Sequence, residues 1–408
     1  MSAFPTPARA ATLFRHSPFQ FYFWARGLSE FAYQMAAVAV GWQVYAMTNS
    51  AFALGMIGLV QFLPTLILVF IAGHAADRFD RKRVVQVCRV VEGCAAAFLA
   101  WGSFAGWLNV TEIFVAVAVF GTATAFESPA QAALLPAVVP DGMVQKGTAL
   151  STSAWQVAAV SGPAAGGLMY AISPEAAYAA MTVFWLLAGI LNGAIHLDRP
   201  VADKEPPSLD AIFDGVHFVR RNPAILGTIS LDLFAVLLGG ATALLPIYAR
   251  DILHTGPWGL GVLRAAPAVG ALLMTIVLAH HALNRKVGMR MFQAVIIFGA
   301  ATVVFAVSRS IGLSLVALFV MGAADTVSVV IRSSLVQLQT PDNMRGRVSA
   351  VNYLFINASN QLGEFESGVT AALFGVVPAA VLGGVGTVFV ALLWMKLFPA
   401  LRRLERME

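Results

Sequence analysis

Charged residues are scarce in this 408-residue chain. Asp, Glu, Lys and Arg make up 12% of it, and hydrophobic residues make up 59%, whereas soluble domains carry about 25% charged residues. So little charge could not cover a water-soluble surface, and the apolar content also excludes a disordered chain. The two cysteines exclude a secreted disulfide scaffold. A polytopic membrane protein remains.

Motifs for ATP hydrolysis, catalysis and metal binding are also missing. There is no Gly-rich loop ending in Lys-Ser or Lys-Thr, so ATP does not drive the chain directly. Neither a Ser/His/Asp arrangement nor a set of metal ligands occurs at useful spacing, because His280 and His281 have no further ligands nearby. We predict that the protein is not an enzyme and needs no cofactor or metal.

Twelve apolar runs are each long enough to cross the hydrocarbon core, about 30 Å thick, as a helix. Lipid offers the backbone no hydrogen-bond partners, and the alternating pattern of barrel strands is absent, so helices are required. The runs cover about residues 19–47, 54–76, 84–105, 112–136, 147–171, 176–197, 223–249, 257–280, 290–308, 311–338, 348–374 and 377–398. The predicted fold is an all-α membrane protein with twelve transmembrane helices.

The two halves of the chain repeat each other. At an offset of 201 residues Gly121 matches Gly322 and Gly162 matches Gly363, and at 203 Pro64 matches Pro267. This order of matches indicates a duplicated unit. We predict two pseudo-symmetric six-helix bundles, 1–197 and 223–408, the second followed by a short cytoplasmic tail. They are joined by a cytoplasmic linker, 198–222, that contains an amphipathic helix.

Most of the 26 Lys and Arg residues fall on one side of the predicted topology if the N-terminus is cytoplasmic. An even number of spans then places both termini in the cytoplasm. The excess of positive charge is therefore interpreted as a topology signal and not as a nucleic-acid surface. The expected location is a cell membrane, with the lipid bilayer as a partner.

The loop between spans two and three begins with Gly73 and continues through Asp77-Arg78 to the basic residues Arg81 and Lys82. This pattern resembles the signature loop of the major facilitator superfamily. The resemblance implies a secondary transporter that binds a small-molecule substrate, and we expect it to act as a monomer.

The signature loop departs from the family pattern at Ala75, usually Leu, and at Asp80, usually Gly. Physically, Gly73 would allow close helix approach, and Asp77 would accept hydrogen bonds from a helix N-terminus. Arg78 and Arg81 would pair with carboxylates across the two halves as a conformational latch. The alternative is a basic stop-transfer loop with two incidental acids.

Span five contains the small residues Gly162, Gly166 and Gly167 together with Pro163. This stretch resembles the Gly-Pro-Gly-Gly element of antiporter branches of the superfamily. Small residues let helices pack closely, and Pro163 removes a backbone donor and is expected to bend the span. A generic packing face is the alternative.

Two further stretches, residues 127–136 and 344–349, resemble the branch that contains bacterial enterobactin exporters and macrolide-efflux proteins. This resemblance implies export across a bacterial inner membrane. It does not identify a substrate.

Ionisable residues within the predicted spans need a partner, a wet cavity or a function, since each costs about 2.5–3.5 kcal/mol at the bilayer centre. The candidates for proton coupling or for lining the cavity are Arg26, Glu30, Glu127, Asp232, Asp325, Glu364 and Glu366. Glu30, Glu127, Asp232 and Asp325 fall on spans one, four, seven and ten, which line the central cavity in the superfamily that the chain resembles. A carboxyl group in a partly dehydrated cavity can exchange protons near neutral pH.

The alternative for these acids is a set of structural ion pairs. Glu30 would pair with Arg26, Asp325 with Arg332, and Glu127 with a neighbouring basic residue. Arg89 and Glu92, three residues apart on span three, are interpreted as a structural pair.

Span eleven also carries Asn357, Asn360 and Gln361, which we interpret as polar groups of a substrate cavity, because amides facing lipid would be unfavourable. The favoured function is export of an amphipathic small molecule, siderophore-like or drug-like, by proton antiport with alternating access. An importer or facilitator on the same fold, and a non-transporting membrane receptor, are the alternatives.

Overall fold

The computed structural model describes residues 13–140, 142–197, 209–281, 285–341 and 344–405. These residues are almost entirely helical, and no strand occurs among them. The prediction of an all-α protein is confirmed for this part of the chain.

The helices of the N-terminal half follow one another with short connections. They are α1 (Ser17–Thr48), α2 (Ala51–Arg78), α3 (Arg81–Ala105), α4 (Val110–Val138), α5 (Val144–Ile172) and α6 (Pro174–Gly193). A shorter helix, α7 (Leu209–Arg221), follows them.

The C-terminal half begins with α8 (Pro223–Leu238). The chain then continues through a 3-10 turn (Ala241–Leu244), a helical segment (Leu245–Ile247) and a π-helical turn (Tyr248–Ile252). The remaining helices are α9 (Gly256–His280), α10 (Val287–Val307), α11 (Ile311–Gln339), α12 (Arg345–Phe374), α13 (Val376–Leu397) and α14 (Pro399–Arg402).

Nine helical segments within the described ranges are long and apolar enough to cross a membrane. One of them combines α8 with the turns that follow it, Pro223–Ile252. The other three predicted spans, one, five and eleven, are the helices α1, α5 and α12. These three helices carry the charges of α1, the small residues of α5 and the amides of α12. Such residues lower the mean hydropathy of a helix. The count of twelve spans therefore stays a prediction.

Local capping explains one departure from the signature loop. Asp80 stands where the family usually has Gly, and its carboxylate accepts a hydrogen bond of 3.0 Å from the backbone N–H of Lys82 at the start of α3. An N-cap of this kind stabilises a helix start by about 1 kcal/mol. Lys82 Nζ in turn donates to the carbonyl of Ile195 beyond the end of α6, at 2.9 Å. The loop thus begins one helix and contacts the end of another.

The chain divides into two compact units. The first comprises Met1–Gln43 and Leu63–Pro206, and the second comprises Val44–Phe62 and Pro207–Glu408. The first unit has a core cluster that joins Phe19 and Tyr22 of α1 to Leu134 of α4. The second has a cluster that joins Leu231 of α8 to Phe292 of α10. The division at residues 197 and 222 stays a prediction.

Residues 198–208 of the predicted linker lie outside the described residues. The part that is described, α7, packs in the second unit, where Val219 is 5% exposed and belongs to a cluster with Ile225 and Val348. Asp214 on α7 forms an exposed ion pair of 2.8 Å with Arg347 at the start of α12. The amphipathic helix is therefore attached to α12 by apolar and polar contacts.

Glycines allow very close helix packing in the second unit. A Cβ atom on Gly270 of α9 would overlap the carbonyl oxygen of Phe319 on α11, and one on Gly322 of α11 would overlap the backbone of Pro267 on α9. In lipid there is little hydrophobic driving force between helices, so such backbone contacts contribute much of their association.

We predict that Gly270→Ala lowers the free energy of unfolding by about 1–3 kcal/mol, because the added methyl group forces α9 and α11 apart. The measurement is unfolding of the purified protein in a mild detergent. Gly346→Ala is the matched control, since no atom lies within 4 Å of the position of its Cβ, and a helical Gly→Ala exchange there should add about 0.5–1 kcal/mol. A Gly270→Ala protein as stable as the wild type would contradict the packing seen here.

Candidate functional site

A cluster of charged side chains lies inside the first unit. Its centre is Arg89 of α3, whose side chain is 1% exposed. One guanidinium nitrogen of Arg89 donates to Glu127 Oε1 at 2.7 Å and to Gln131 Oε1 at 3.0 Å. Glu127 and Gln131 lie four residues apart on α4 and so share one face of that helix. Arg89 therefore ties α3 to α4 through a buried, charge-assisted contact.

The interpretation of Arg89 and Glu92 as an ion pair is wrong. Arg89 reaches across to the two side-chain oxygens on α4, and its ion pair in the described part of the chain is with Glu127. Glu92 is 3% exposed, and its Oε2 has no hydrogen-bond partner among the described residues. Helical spacing allowed the pair, but the neighbouring helix offers Arg89 more oxygens.

The charges of α1 approach the same cluster. Glu30 is half-buried and lies within electrostatic range of Arg26, Glu127 and Arg89. Arg26 donates to the hydroxyl of Tyr22 at 3.3 Å, and no direct ion pair between Arg26 and Glu30 forms among the described residues. The structural pair considered as the alternative for Glu30 is therefore not made, whereas Glu127 has its basic partner.

The second unit contains a different ion pair. Arg332 of α11 contacts Asp232 of α8, with side chains 5% and 9% exposed. The alternative that paired Arg332 with Asp325 is wrong, because seven residues on one helix separate the two by about 10.5 Å along its axis at about 1.5 Å per residue. Asp232 reaches Arg332 from the neighbouring helix.

Asp232 and Asp325 line a common cavity of about 20 Å³ in the second unit. Phe298 of α10 and Ser328 of α11 also line it. A volume of this size holds about one water molecule, provided that polar groups are present to bind it. A water there could link the paired acid, Asp232, to the second acid, Asp325.

The two units place related residues at related positions. Gln131 and Arg332 are 201 residues apart, which is one offset of the internal repeat, and Glu30 and Asp232 are 202 residues apart, between its two offsets. The first helix of each half thus supplies a carboxylate. In the first unit the arginine paired with a carboxylate, Arg89, lies on α3. In the second unit it is Arg332, which lies on α11 at the position that matches Gln131 of α4.

The acids of α12 lie in a tightly packed region of the second unit. Glu364 is close to α2, because a Cβ atom on Gly58 would lie 3.0 Å from its Oε2. Arg264 of α9 is within electrostatic range of Glu364. Glu366 accepts a hydrogen bond of 2.8 Å from the hydroxyl of Thr370 on its own helix. The two acids thus have different surroundings.

The amides of α12 are partly used within the helix. Asn357 donates to the carbonyl of Tyr353 at 3.0 Å, and Asn360 donates to that of Ile356 at 2.9 Å. Gln361 Oε1 is buried and has no hydrogen-bond partner among the described residues. The amide nitrogens of Asn357 and Asn360 are therefore used within the helix, whereas the side-chain oxygen of Gln361 is available to a ligand.

The signature loop is described only in part. The side chain of Asp77 lies outside the described residues. No atom of the described residues lies within 4 Å of the position that a Cβ atom would take on Gly73, so the close helix approach expected there is not seen among them. Arg78, the last residue of α2, is exposed, and Arg81, the first of α3, is half-buried. The latch stays a prediction.

The small-residue motif of α5 lies against α1 in the first unit. Gly162, Pro163, Gly166 and Gly167 are all buried. A Cβ atom on Gly162 would lie 2.7 Å from Cβ of Gln34, and one on Gly166 would lie 2.8 Å from Cα of Met35. The motif therefore allows α5 and α1 to approach closely.

Sequence reasoning missed a polar contact at the end of α1. The hydroxyl of Tyr45 bonds to Asp251 Oδ2, and Arg250 donates to the carbonyl of Tyr45 at 3.3 Å. The Arg250 guanidinium also lies 5.4 Å from the centroid of the Tyr45 ring. No sequence spacing relates residues 45 and 250, whereas Arg89 was recognisable as a charge within an apolar run.

Curated relatives match nearly the whole chain. The multidrug efflux pump Tap of Mycobacterium tuberculosis (strain ATCC 25618 / H37Rv) is 28% identical over 392 residues, covering 91% of this chain and 91% of Tap. The enterobactin exporter EntS of Citrobacter koseri is 25% identical over 394 residues, covering 96% of this chain and 94% of EntS. Both are similar to this chain from end to end.

Solved structures share the fold at low sequence identity. The peptide transporter POT aligns with a TM-score of 0.75 at 12% identity and covers 95% of both chains. A bacterial homologue of the human lysosomal transporter Spinster aligns with a TM-score of 0.73 at 12% identity, covering 96% of this chain and 97% of its own. These likenesses concern the fold alone.

The resemblance seen in the signature loop extends over most of the sequence. Residues 22–364 match the family model described as Major Facilitator Superfamily, which is more than four-fifths of the chain. The helical fold, the apolar spans and the end-to-end relatives agree with this match. The chain therefore belongs to the Major Facilitator Superfamily.

Proposed function

We propose that the protein is a secondary active transporter that exports amphipathic small molecules in exchange for protons. The observation that carries the proposal is a buried arginine paired with a carboxylate within the helices of each unit. The pairs are Arg89 with Glu127 in the first unit and Arg332 with Asp232 in the second, where Asp325 lines the same cavity as Asp232. Relatives named as a drug efflux pump and a siderophore exporter support the direction of transport.

Buried ion pairs are suited to coupling because protonation breaks them. Taking one partner away leaves an uncompensated charge in an apolar region, which costs about 3–5 kcal/mol. A proton that binds the carboxylate leaves the guanidinium group as that uncompensated charge, so the arginine needs a new partner. Protonation and the arrangement of the helices are thereby linked, as alternating access between two compartments requires.

The second unit supplies the clearer proton site. Asp232 is held by Arg332, whereas Asp325 lies at the same cavity without an ion pair among the described residues. A water molecule in the cavity would let a proton pass between the two carboxyl groups. We assign Asp325 as the acid that binds the transported proton and Asp232 as its charge-paired counterpart.

The names of the relatives and the polarity of α12 support the proposed substrate class. A pump for drugs and an exporter for enterobactin suggest molecules with large apolar surfaces and some polar groups. Glu364, Gln361 and the amides of Asn357 and Asn360 would bind those polar groups. We propose a monomer in a bacterial inner membrane with both termini in the cytoplasm. Gly73, Asp77, Arg78 and Arg81 would form its conformational latch.

We predict that Asp232→Leu lowers the free energy of unfolding by about 3–5 kcal/mol, because Arg332 is left buried without its partner. The double variant Asp232→Leu/Arg332→Met should recover most of that stability, since replacing both charges by apolar groups of similar volume is often neutral. Proton-driven transport should be lost in both. Detergent unfolding and flux in proteoliposomes measure the two quantities.

The exposed pair of Asp214 and Arg347 is the matched control for this experiment. Asp214→Asn should change stability by at most about 1 kcal/mol and leave transport unchanged. A double variant that keeps full proton-driven transport would contradict a coupling role for the buried pair.

We predict that Asp325→Asn abolishes accumulation driven by a pH gradient but retains substrate exchange between the two sides of the membrane, because exchange needs no net proton movement. The measurement uses proteoliposomes with a panel of fluorescent dyes, macrolides and catecholate siderophores, with internal pH recorded by a trapped indicator. Wild-type vesicles whose gradient has been dissipated by an ionophore should behave like the variant. If wild-type protein moves these compounds without moving protons, the proposed antiport is refuted.

A further inference from the structure

Glu92 is the most deeply buried acid among the described residues of the first unit. It is 3% exposed on α3, and one carboxyl oxygen has no hydrogen-bond partner among the described residues. It lies one helical turn from Arg89, and it is within electrostatic range of Glu127, Arg89 and Glu30. The ion pair between Arg89 and Glu127 makes no use of it.

The number of charges in this cluster requires a proton. The three carboxyl groups of Glu30, Glu92 and Glu127 face the two guanidinium groups of Arg26 and Arg89. If all five were charged, the cluster would carry one uncompensated negative charge in a region where such a charge is costly. One bound proton makes the cluster neutral.

Burial and bonding determine which acid holds the proton. Glu127 accepts a charge-assisted hydrogen bond of 2.7 Å from Arg89, and this bond favours its ionised form. Glu30 is half-buried, with Arg26 in range. Glu92 combines the greatest burial with an oxygen that lacks a donor, and a neutral carboxylic acid tolerates this environment best.

The other helix packed against α3 adds no charge here. At the level of Glu92, α6 presents Leu186, which lies against Gly93, and Gly189, which lies against Val90. On α3 itself, Arg89 and the thiol of Cys88 are within electrostatic range of Glu92. The charged groups that face Glu92 therefore come from α1, α3 and α4.

We propose that Glu92 is a second proton-binding residue of the transporter and that Arg89 exchanges partners between Glu127 and Glu92. A proton from water binds Glu127 and breaks its bond with Arg89. The Arg89 side chain then turns to Glu92, and the proton of Glu92 leaves to water. One proton enters the cluster and one leaves it, and the hydrogen bond from Arg89 to Glu127 is replaced by one from Arg89 to Glu92.

Local geometry makes this exchange inexpensive. Residues three apart on a helix lie on the same face, so Arg89 reaches Glu92 by a change of side-chain rotamer alone. Gln131 accepts a hydrogen bond of 3.0 Å from Arg89. It is a neutral amide, so it neither binds nor releases a proton during the exchange. Glu92 thus acts on the coupling through Arg89 and does not need to touch the substrate.

The inference rests on the proposed proton antiport and is tested by Glu92→Gln, which keeps the shape of the neutral acid but cannot release a proton. Proton-driven transport in proteoliposomes should fall about a hundredfold, the effect expected when a proton-transfer group is lost. Substrate exchange should persist. Infrared difference spectra of the detergent-purified full chain between acid and alkaline pH should lose one carboxylic-acid band. Glu92→Asp, which keeps the carboxyl group, should restore the band and part of the proton-driven transport.

The control is Glu175→Gln, which removes a carboxyl group from the first turn of α6, outside the cluster. It should leave both transport and the infrared band unchanged. A Glu92→Gln protein with unchanged proton-driven transport, or a wild-type spectrum without a band that depends on Glu92, would overturn the inference while the proposed antiport stands. If wild-type vesicles move no protons, the antiport fails instead, and the infrared band alone then decides whether Glu92 binds a proton.

Discussion

The pairing of buried arginines with carboxylates on neighbouring helices is the constraint on which each unit depends. Lipid cannot solvate a guanidinium group, so Arg89 and Arg332 must find oxygens within the protein. For Arg89 these oxygens come from Glu127 and Gln131. For Arg332 they come from Asp232. Each pair fixes the rotation and depth of two helices, because a turn of either helix would separate the charges. The proposed transport function uses the same pairs.

The internal repeat does not place the buried charges at matching positions in the two halves. At an offset of 201 residues Gln131 matches Arg332, whereas Glu127 matches Ser328 and Asp325 matches Thr124. In the first unit the paired positive charge lies on α3, where Arg89 reaches the face of α4 that carries Gln131. The position of a charge in the chain is therefore less constrained than its position in space. Duplicated halves that place their arginines differently can also respond differently to protonation.

Sequence reasoning succeeded where the signal lies along one helix. Apolar runs, the signature loop and the acids within spans follow from composition and order, and Asp80 at the start of α3 is explained by local capping. It failed for partners across helices. Arg89 was interpreted as the partner of Glu92, and Arg332 was considered as an alternative partner of Asp325, because spacing on a helix is the only distance that a sequence gives. The true partners depend on packing between helices.

Each unit contains more carboxyl groups within its helices than it has ion pairs for them. Arg332 pairs with Asp232 while Asp325 lines the same cavity as Asp232, and Arg89 pairs with Glu127 while Glu92 lies buried one turn away. In the first unit three carboxyl groups lie with two guanidinium groups, so that cluster is neutral only when one carboxyl group is protonated. An acid without an ion-pair partner is costly to bury in its ionised form. The unpaired acids therefore lower stability unless they hold a proton, and the proposed coupling depends on this property.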